Sequence, residues 1–263
     1  MAAPSLAEVV DILHEIAPLE LAAEWDNVGL VLQPRRAGRV ARVLLTIDLT
    51  EPVVAEAKAA RADLVVSYHP PIFAPLKKLT NGDPRQRVVL AAIGAGLAVY
   101  SPHTALDAAP SGLADWLVEG VLGGDAPEEL RPCGDGEFGR IVELARPVAF
   151  PVLLQRVRRH LKVKHLQIAA PAKATKNVRT VAVAAGSGSS ILRGVAADVF
   201  VTGEMSHHDA LAATAAGTTL ICAGHSNTER GFLPVLRKRL VTEFGPALDV
   251  RISKADRDPF TTG

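Results

Sequence analysis

Val43-Leu44-Leu45-Thr46-Ile47-Asp48 and Asp63-Leu64-Val65-Val66-Ser67-Tyr68-His69 are two near-continuous apolar runs. Between them, Thr50-Glu51-Pro52 opens a segment reaching to about Arg61 that reads as a helix, since hydroxyl caps and early prolines mark helix starts. Pro70-Pro71 halts the second run. Strands this apolar, alternating with helices, imply parallel pairing with both faces of the sheet covered. The class is therefore α/β.

The same alternation extends in both directions. Toward the amino terminus, Ser5 and Glu8 have the spacing of a capping box, and Leu6, Val9, Val10, Leu13 and Ile16 form one apolar face before Pro18. Glu24-Trp25-Asp26-Asn27-Val28-Gly29-Leu30 reads as a tight turn with Trp25 as a packing anchor. Downstream come a helix over 83–93, a strand over 97–100 and a helix opened by Ser111. A Gly- and Pro-rich stretch, 123–136, reads as a turn-rich bridge. Strands over 141–144, 165–169, 178–184, 199–201 and 219–222 follow, with helices over 152–161 and 206–216 and a glycine-serine loop with a short helix after residue 185. No internal repeat or low-complexity tract interrupts the pattern.

The totals exclude several function classes. With 29 Lys and Arg against 28 Asp and Glu, no basic surplus exists to neutralise a phosphate backbone, so general nucleic-acid binding is not expected. Cys133 and Cys222 lack any paired spacing, which excludes a disulfide framework and a cysteine zinc site and suits a reducing compartment. No apolar run spans a bilayer, so no membrane association is expected. The first basic residue is Arg35, after six acidic ones, the opposite of a secretory or mitochondrial leader. The expected location is the cytoplasm, with the nucleus also open.

Polar residues collect where strands end. His69 closes one strand, His103 and Asp107 follow another, Glu204 follows Val199-Phe200-Val201-Thr202-Gly203, and His225 follows the last. Loops beyond the carboxyl ends of strands line the ligand crevice of open α/β sheets. Imidazoles and carboxylates delivered there from separate segments suit a first-row metal, and Asp107 and Glu229 could bridge two ions. His225 and Glu229 lie four apart in Ala223-Gly224-His225-Ser226-Asn227-Thr228-Glu229-Arg230-Gly231-Phe232, at a strand-to-helix junction. Ser226 and Glu229 equally have the spacing of a capping box, so a structural cap and a metal pair both stand at this point. Gly186-Ser187-Gly188-Ser189-Ser190 reads either as a tight turn or as an anion cradle; with no Lys after the glycine it is not a nucleotide P-loop.

Six ordered motifs carry a resemblance. Trp25-Asp26-Asn27-Val28-Gly29-Leu30, Ser67-Tyr68-His69-Pro70-Pro71-Ile72-Phe73, Ser101-Pro102-His103-Thr104-Ala105-Leu106-Asp107, Gly186-Ser187-Gly188-Ser189-Ser190, Thr202-Gly203-Glu204-Met205-Ser206-His207-His208-Asp209 and the His225–Glu229 stretch are similar to those of the Ngg-interacting-factor-three-like family, also called GTP cyclohydrolase I type 2-like. The resemblance covers nearly the whole chain. It implies two α/β domains facing across a cleft, here residues 1–125 plus 225–263 and residues 126–224, in dimers or ring-shaped hexamers. It also implies a dinuclear metal centre with His69, Asp107, His225 and Glu229 as ligands to divalent ions, Zn, Fe and Mn being undistinguished. Many bacterial members carry two adjacent histidines where this chain has Tyr68-His69, the version associated with eukaryotic members. A neutral phenol is a poor ligand beside imidazole, so one of the two ions is expected to bind weakly or be missing.

Two functions follow as expectations. One is a metal-dependent hydrolase or nucleotide-ring-opening enzyme, with His103 as a proton shuttle, Ser187, Glu204 and His207 lining the substrate pocket and Arg230 facing an anionic group. The other is an interaction scaffold with protein partners among transcription cofactors, the metal site being degenerate.

Overall fold

The computed structural model describes residues 2–35, 38–173 and 175–261. In chain order the elements are α1 (Leu6–Ile16), β1 (Gly29–Leu32), β2 (Arg42–Thr46), α2 (Glu51–Ala59), β3 (Leu64–Ser67), α3 (Pro84–Gly94), β4 (Ala98–Ser101), α4 (His103–Ala108), α5 (Leu113–Leu122), β5 (Pro127–Cys133), β6 (Gly139–Ala149), α6 (Phe150–Leu161), β7 (Gln167–Ala169), β8 (Asn177–Ser187), β9 (Val199–Glu204), α7 (His207–Ala215), β10 (Thr219–Cys222), α8 (Leu233–Phe244) and β11 (Asp249–Ile252). The α/β class expected from the alternation is what the chain adopts. It forms two compact units, Met1–Leu106 with Phe232–Pro259, and Asp107–Gly231 with Phe260–Gly263. No helix among the described residues is long and apolar enough to cross a membrane.

In the first unit the described strands form one sheet in the order β1-β4-β3-β2-β11. The β4-β3-β2-β11 part is parallel, with Thr46 opposite Ser67 and Val66 opposite Tyr100, while β1 pairs antiparallel to β4. All four residues of β3 are buried, as its central position requires. Leu44, Val53, Ala57, Val65 and Val99 pack α2 against one face of the sheet. The Ser5–Glu8 capping box forms, each side chain bonding the other's backbone amide. Thr50 stands at the expected N-cap of α2, yet its hydroxyl makes no capping bond; Pro52 in the first turn does the local ordering.

The parallel register sets what this unit can do. Asp48, His69 and His103 follow the carboxyl ends of the neighbouring strands β2, β3 and β4, so all three leave the sheet along one edge.

The second unit carries a sheet in the order β5-β6-β8-β9-β10-β7. Its centre, β8-β9-β10, is parallel, and the flanking pairs are antiparallel. Ile141, Ala182, Leu192, Phe200 and Leu220 build its core. Residues 127–133 of the expected bridge are in fact the edge strand β5, mostly exposed; prolines at 127 and 132 are tolerated because an edge needs only half of its ladder bonds. The expected short helix after the glycine-serine loop is instead a run of turns. β1 and β11 also escape the sequence pattern, being four-residue outer strands with little apolar surplus to announce them.

Candidate metal centre

The second unit holds one histidine between two carboxylates. His225 follows β10, and its Nδ1 lies 2.9 Å from Glu204 Oε1, at the end of β9. Its Nε2 lies 3.3 Å from Glu229 Oε1. Glu229 is only 2 % exposed whereas the His225 side chain is 39 % exposed, so the pair joins a buried carboxylate to an accessible ring. Glu229 does not cap the long helix: α8 begins only at Leu233, and Ser226 lies inside a single 3-10 turn, Ser226–Thr228, with His225 at the capping position.

This turn is fastened from beneath. Thr228 Oγ1 accepts the Gly186 amide at 2.9 Å and donates to the His225 carbonyl at 2.7 Å. Thr202 Oγ1 donates to the Gly186 carbonyl. Gly186 has φ +53°, and a Cβ built there would stand 2.7 Å from Glu229 Oε1 and 2.8 Å from His225 Nε2. The glycine is what leaves room for the carboxylate and imidazole together. Gly203 serves the same end: a Cβ there would meet the Gly186 carbonyl oxygen and the His225 Cα.

Of the other residues expected here, Ser187 lies opposite Glu204 in the β8–β9 register, and both are exposed. His207 opens α7, exposed and edge-on to His208. Arg230 directly follows Glu229 and is partly buried. Asp107 is buried near the end of α4. Just after it, the Ala108 carbonyl accepts from the buried Arg140 guanidinium at 2.8 Å.

The first unit holds His69 and His103. His69 Nδ1 lies 2.9 Å from Asp48 Oδ1, the same carboxylate-on-Nδ1 arrangement seen at His225. Tyr68 is buried, its ring 4.9 Å from that of His69 and 5.5 Å from that of His103. His103 Nδ1 lies 2.8 Å from both oxygens of Asp26, whose side chain is fully buried. Burial pushes the Asp26 carboxyl up, but hydrogen bonds from His103 and Thr104 and the imidazole's charge outweigh it and hold Asp26 below the ordinary range. His103 has φ +27°, a conformation that β-carbon-bearing residues rarely adopt, and Asp26 fastens it there.

Asp48 and Asp26 are acceptors outside the expected set of site residues. Asp48 ends a strand just as His69 does, so the same strand-end criterion would have found it. Asp26 belongs to the expected turn around Trp25, whose side chain is 62 % exposed rather than a buried packing anchor.

Across this arrangement the whole chain resembles known proteins. The family model for Duf34/NIF3 (NGG1p interacting factor 3) matches residues 4–259. The chain belongs to the DUF34/NIF3 family. The NIF3-like protein 1 of Drosophila melanogaster is 42% identical over 98% of this chain and 89% of its own length. The NGG1-interacting factor 3 of Saccharomyces cerevisiae is 38% identical over 90% of this chain and 89% of its own. Among solved structures, a NIF3-related protein of Bacillus cereus superposes with a TM-score of 0.82 at 21% identity, covering 100% of each chain. Reduced HcgD from Methanocaldococcus jannaschii superposes with a TM-score of 0.83 at 22% identity over 95% of this chain and 98% of its own. At those identities the structural likeness speaks for the NIF3 fold alone.

Proposed function

We propose that this NIF3-family protein is a metal-dependent hydrolase. His69, His225 and Glu229 could together hold a divalent ion; the family resemblance adds Asp107 as a fourth ligand. The observation that carries the reading is the His225 imidazole, with Glu204 on Nδ1 and Glu229 at Nε2. The donors fit a first-row divalent ion, two imidazole nitrogens with carboxylate oxygens. Each imidazole also has a carboxylate at Nδ1, which keeps the proton there and turns the Nε2 lone pair outward, as metal-binding histidines require. A divalent ion bound by this set would act as a Lewis acid and lower the pKa of water.

The chain's own groups supply the rest. Glu204 and Asp48 orient the two rings, and Asp26 holds His103 so that its Nε2 can take up or deliver a proton during turnover. Tyr68 stands where a further imidazole would be needed for a second ion, and its buried ring packs against His69 and His103. We therefore assign one tightly held ion. The substrate is unidentified, with nucleotides among the candidates.

Elemental analysis of untagged protein purified without chelator tests this. One equivalent of metal, lost in His225→Ala at unchanged fold, is expected; metal-free wild type that takes up none on dialysis ends the proposal. A second reading, an interaction scaffold, draws on Tyr68 and on the yeast relative's name as an interacting factor. It predicts wild-type and His225→Ala proteins with the same partners and no bound metal.

A further inference from the structure

Parallel strands are joined by crossovers, and in most sheets a helix makes the crossing and covers one face. In the second unit α7 does this between β9 and β10, but β8 reaches β9 through residues 188–198, a run of turns with no helix. The two links lie on the same face of the sheet: Leu192 of the turns and Ala213 of α7 join one core with Phe200 and Leu220. Small side chains on α7 leave the place of the missing helix unfilled, for Ala212, Ala213 and Ala216 are what it presents there. A cavity of about 580 Å³ remains between α7 and the turns, walled also by Leu192, Val195, Phe200 and Met205.

Among the described residues, each polar side chain of the lining is already matched. Asp198 accepts the amides of Arg179 at 2.7 Å and Thr180 at 2.9 Å. Thr218 Oγ1 donates to the Ala197 carbonyl, and Ser189 Oγ accepts the Ser206 amide. Asp209 takes the Ser206 hydroxyl at 2.6 Å and pairs with Arg193 at 3.2 Å. That ion pair stands at the mouth, where the Arg193 side chain is 71 % exposed. An ion moved inside would give up water for no unpaired counter-charge, whereas apolar carbon would meet apolar walls. Size rules out a docked helix. Two turns make a cylinder about 10 Å across and about 11 Å long, roughly 800 Å³, more than the space between α7 and the turns. A small molecule fits, since such sites run from about 300 to about 1,000 Å³.

We propose that the cavity between α7 and residues 188–198 is a binding site for a small uncharged apolar molecule, one or two rings in size. An occupant would lie against Leu192 and Phe200 and cover the sheet face that no crossover helix covers. Neither His225 nor Glu229 lines this cavity, so the site stands or falls separately from the metal reading.

The test uses full-length protein and two fluorescent dyes, uncharged phenylnaphthylamine and anionic anilinonaphthalene sulfonate, with a melting curve for each variant. Saturable binding of a single phenylnaphthylamine per chain is expected, about tenfold or more tighter than the sulfonate. Ala212→Leu and Ala216→Leu fill the cavity from exposed positions, so each should weaken dye binding about tenfold or more while the melting temperature holds or rises. Leu211→Ser removes an exposed apolar side chain of α7 outside the cavity and should bind the dye as wild type does. Chelator treatment should leave dye binding unchanged. Absence of saturable binding overturns the proposal, as does wild-type affinity in both filled variants or loss of binding in Leu211→Ser, each of which means dye on an outer surface only. Binding lost after chelator treatment places the dye at the metal centre and overturns it likewise. Equal or tighter binding of the sulfonate overturns it too, because the occupant would not be uncharged. So does an assembly of wild-type chains that Ala212→Leu dissociates, because the space would then hold part of a second copy.

Discussion

His225 Nε2 and Glu229 Oε1 stand 3.3 Å apart in a single turn of chain, the imidazole accessible and the carboxylate buried. Replacing Glu229 with Gln keeps the volume and one carbonyl oxygen but removes the charge. Since Glu229 does not cap α8, this change should abolish metal binding with little change in melting temperature. A Glu229→Gln protein that retains a full equivalent of metal would remove this residue from the ligand set.

Gly186 touches the same pair from the β8 side. Gly186→Ala places a methyl within 3 Å of both functional atoms and forces a side chain into the left-handed region. The conformational part alone costs about 1–2 kcal/mol. Metal affinity should fall with it, measured by competition with a chromogenic chelator. A variant with wild-type affinity would show that the pair has slack to move apart.

Asp48 and Glu204 meet the Nδ1 atoms of His69 and His225. Asp48→Asn and Glu204→Gln can present an amide N–H instead of an acceptor to Nδ1, which favours the wrong tautomer. Each should weaken metal binding by roughly 10- to 100-fold without unfolding the chain. Asp48→Glu and Glu204→Asp should recover part of the loss. Unchanged affinity in both amide variants means that the carboxylates do not set the tautomer.

His160, on α6 and far in sequence from these residues, gives a separate pH prediction. Its ring lies 4.2 Å from that of Trp116, and its Nε2 is buried with no hydrogen-bond partner among the described residues. Burial lowers its pKa from 6.5, the Trp116 backbone bond opposes this and nearby Lys162 adds to it. Between the lowered value and 6.5 the unfolded chain binds more protons than the folded one, so stability rises with pH across that window. The contribution is complete above pH 6.5 and is lost as pH falls through the folded pKa. His160→Phe, which keeps a ring against Trp116, should flatten this part of the acid limb in a series of urea melts. An identical slope in wild type and variant assigns the limb to other groups.

Local chemistry made much of the fold legible. Runs such as Leu64-Val65-Val66 are apolar at successive positions, which only a strand covered on both faces can use, and Ser5 and Glu8 satisfy each other's amides within four residues. The rule that α/β chemistry follows strand ends likewise makes His69 and His225 candidates, from their place after apolar runs. Short outer strands were silent: β1, β5 and β11 have too few buried positions to impose a period on their residues.

What the linear chain by itself determined, then, is the alternation of elements and the residue types available beyond each strand. Tertiary structure decided the pairing of carboxylate with imidazole. Asp48 meets His69 across 21 positions, Glu204 meets His225 across 21, and Asp26 meets His103 across 77. Such bonds depend on which strands lie side by side and in what register, and strand order is fixed by burial over a whole sheet rather than by any residue's neighbours in the chain.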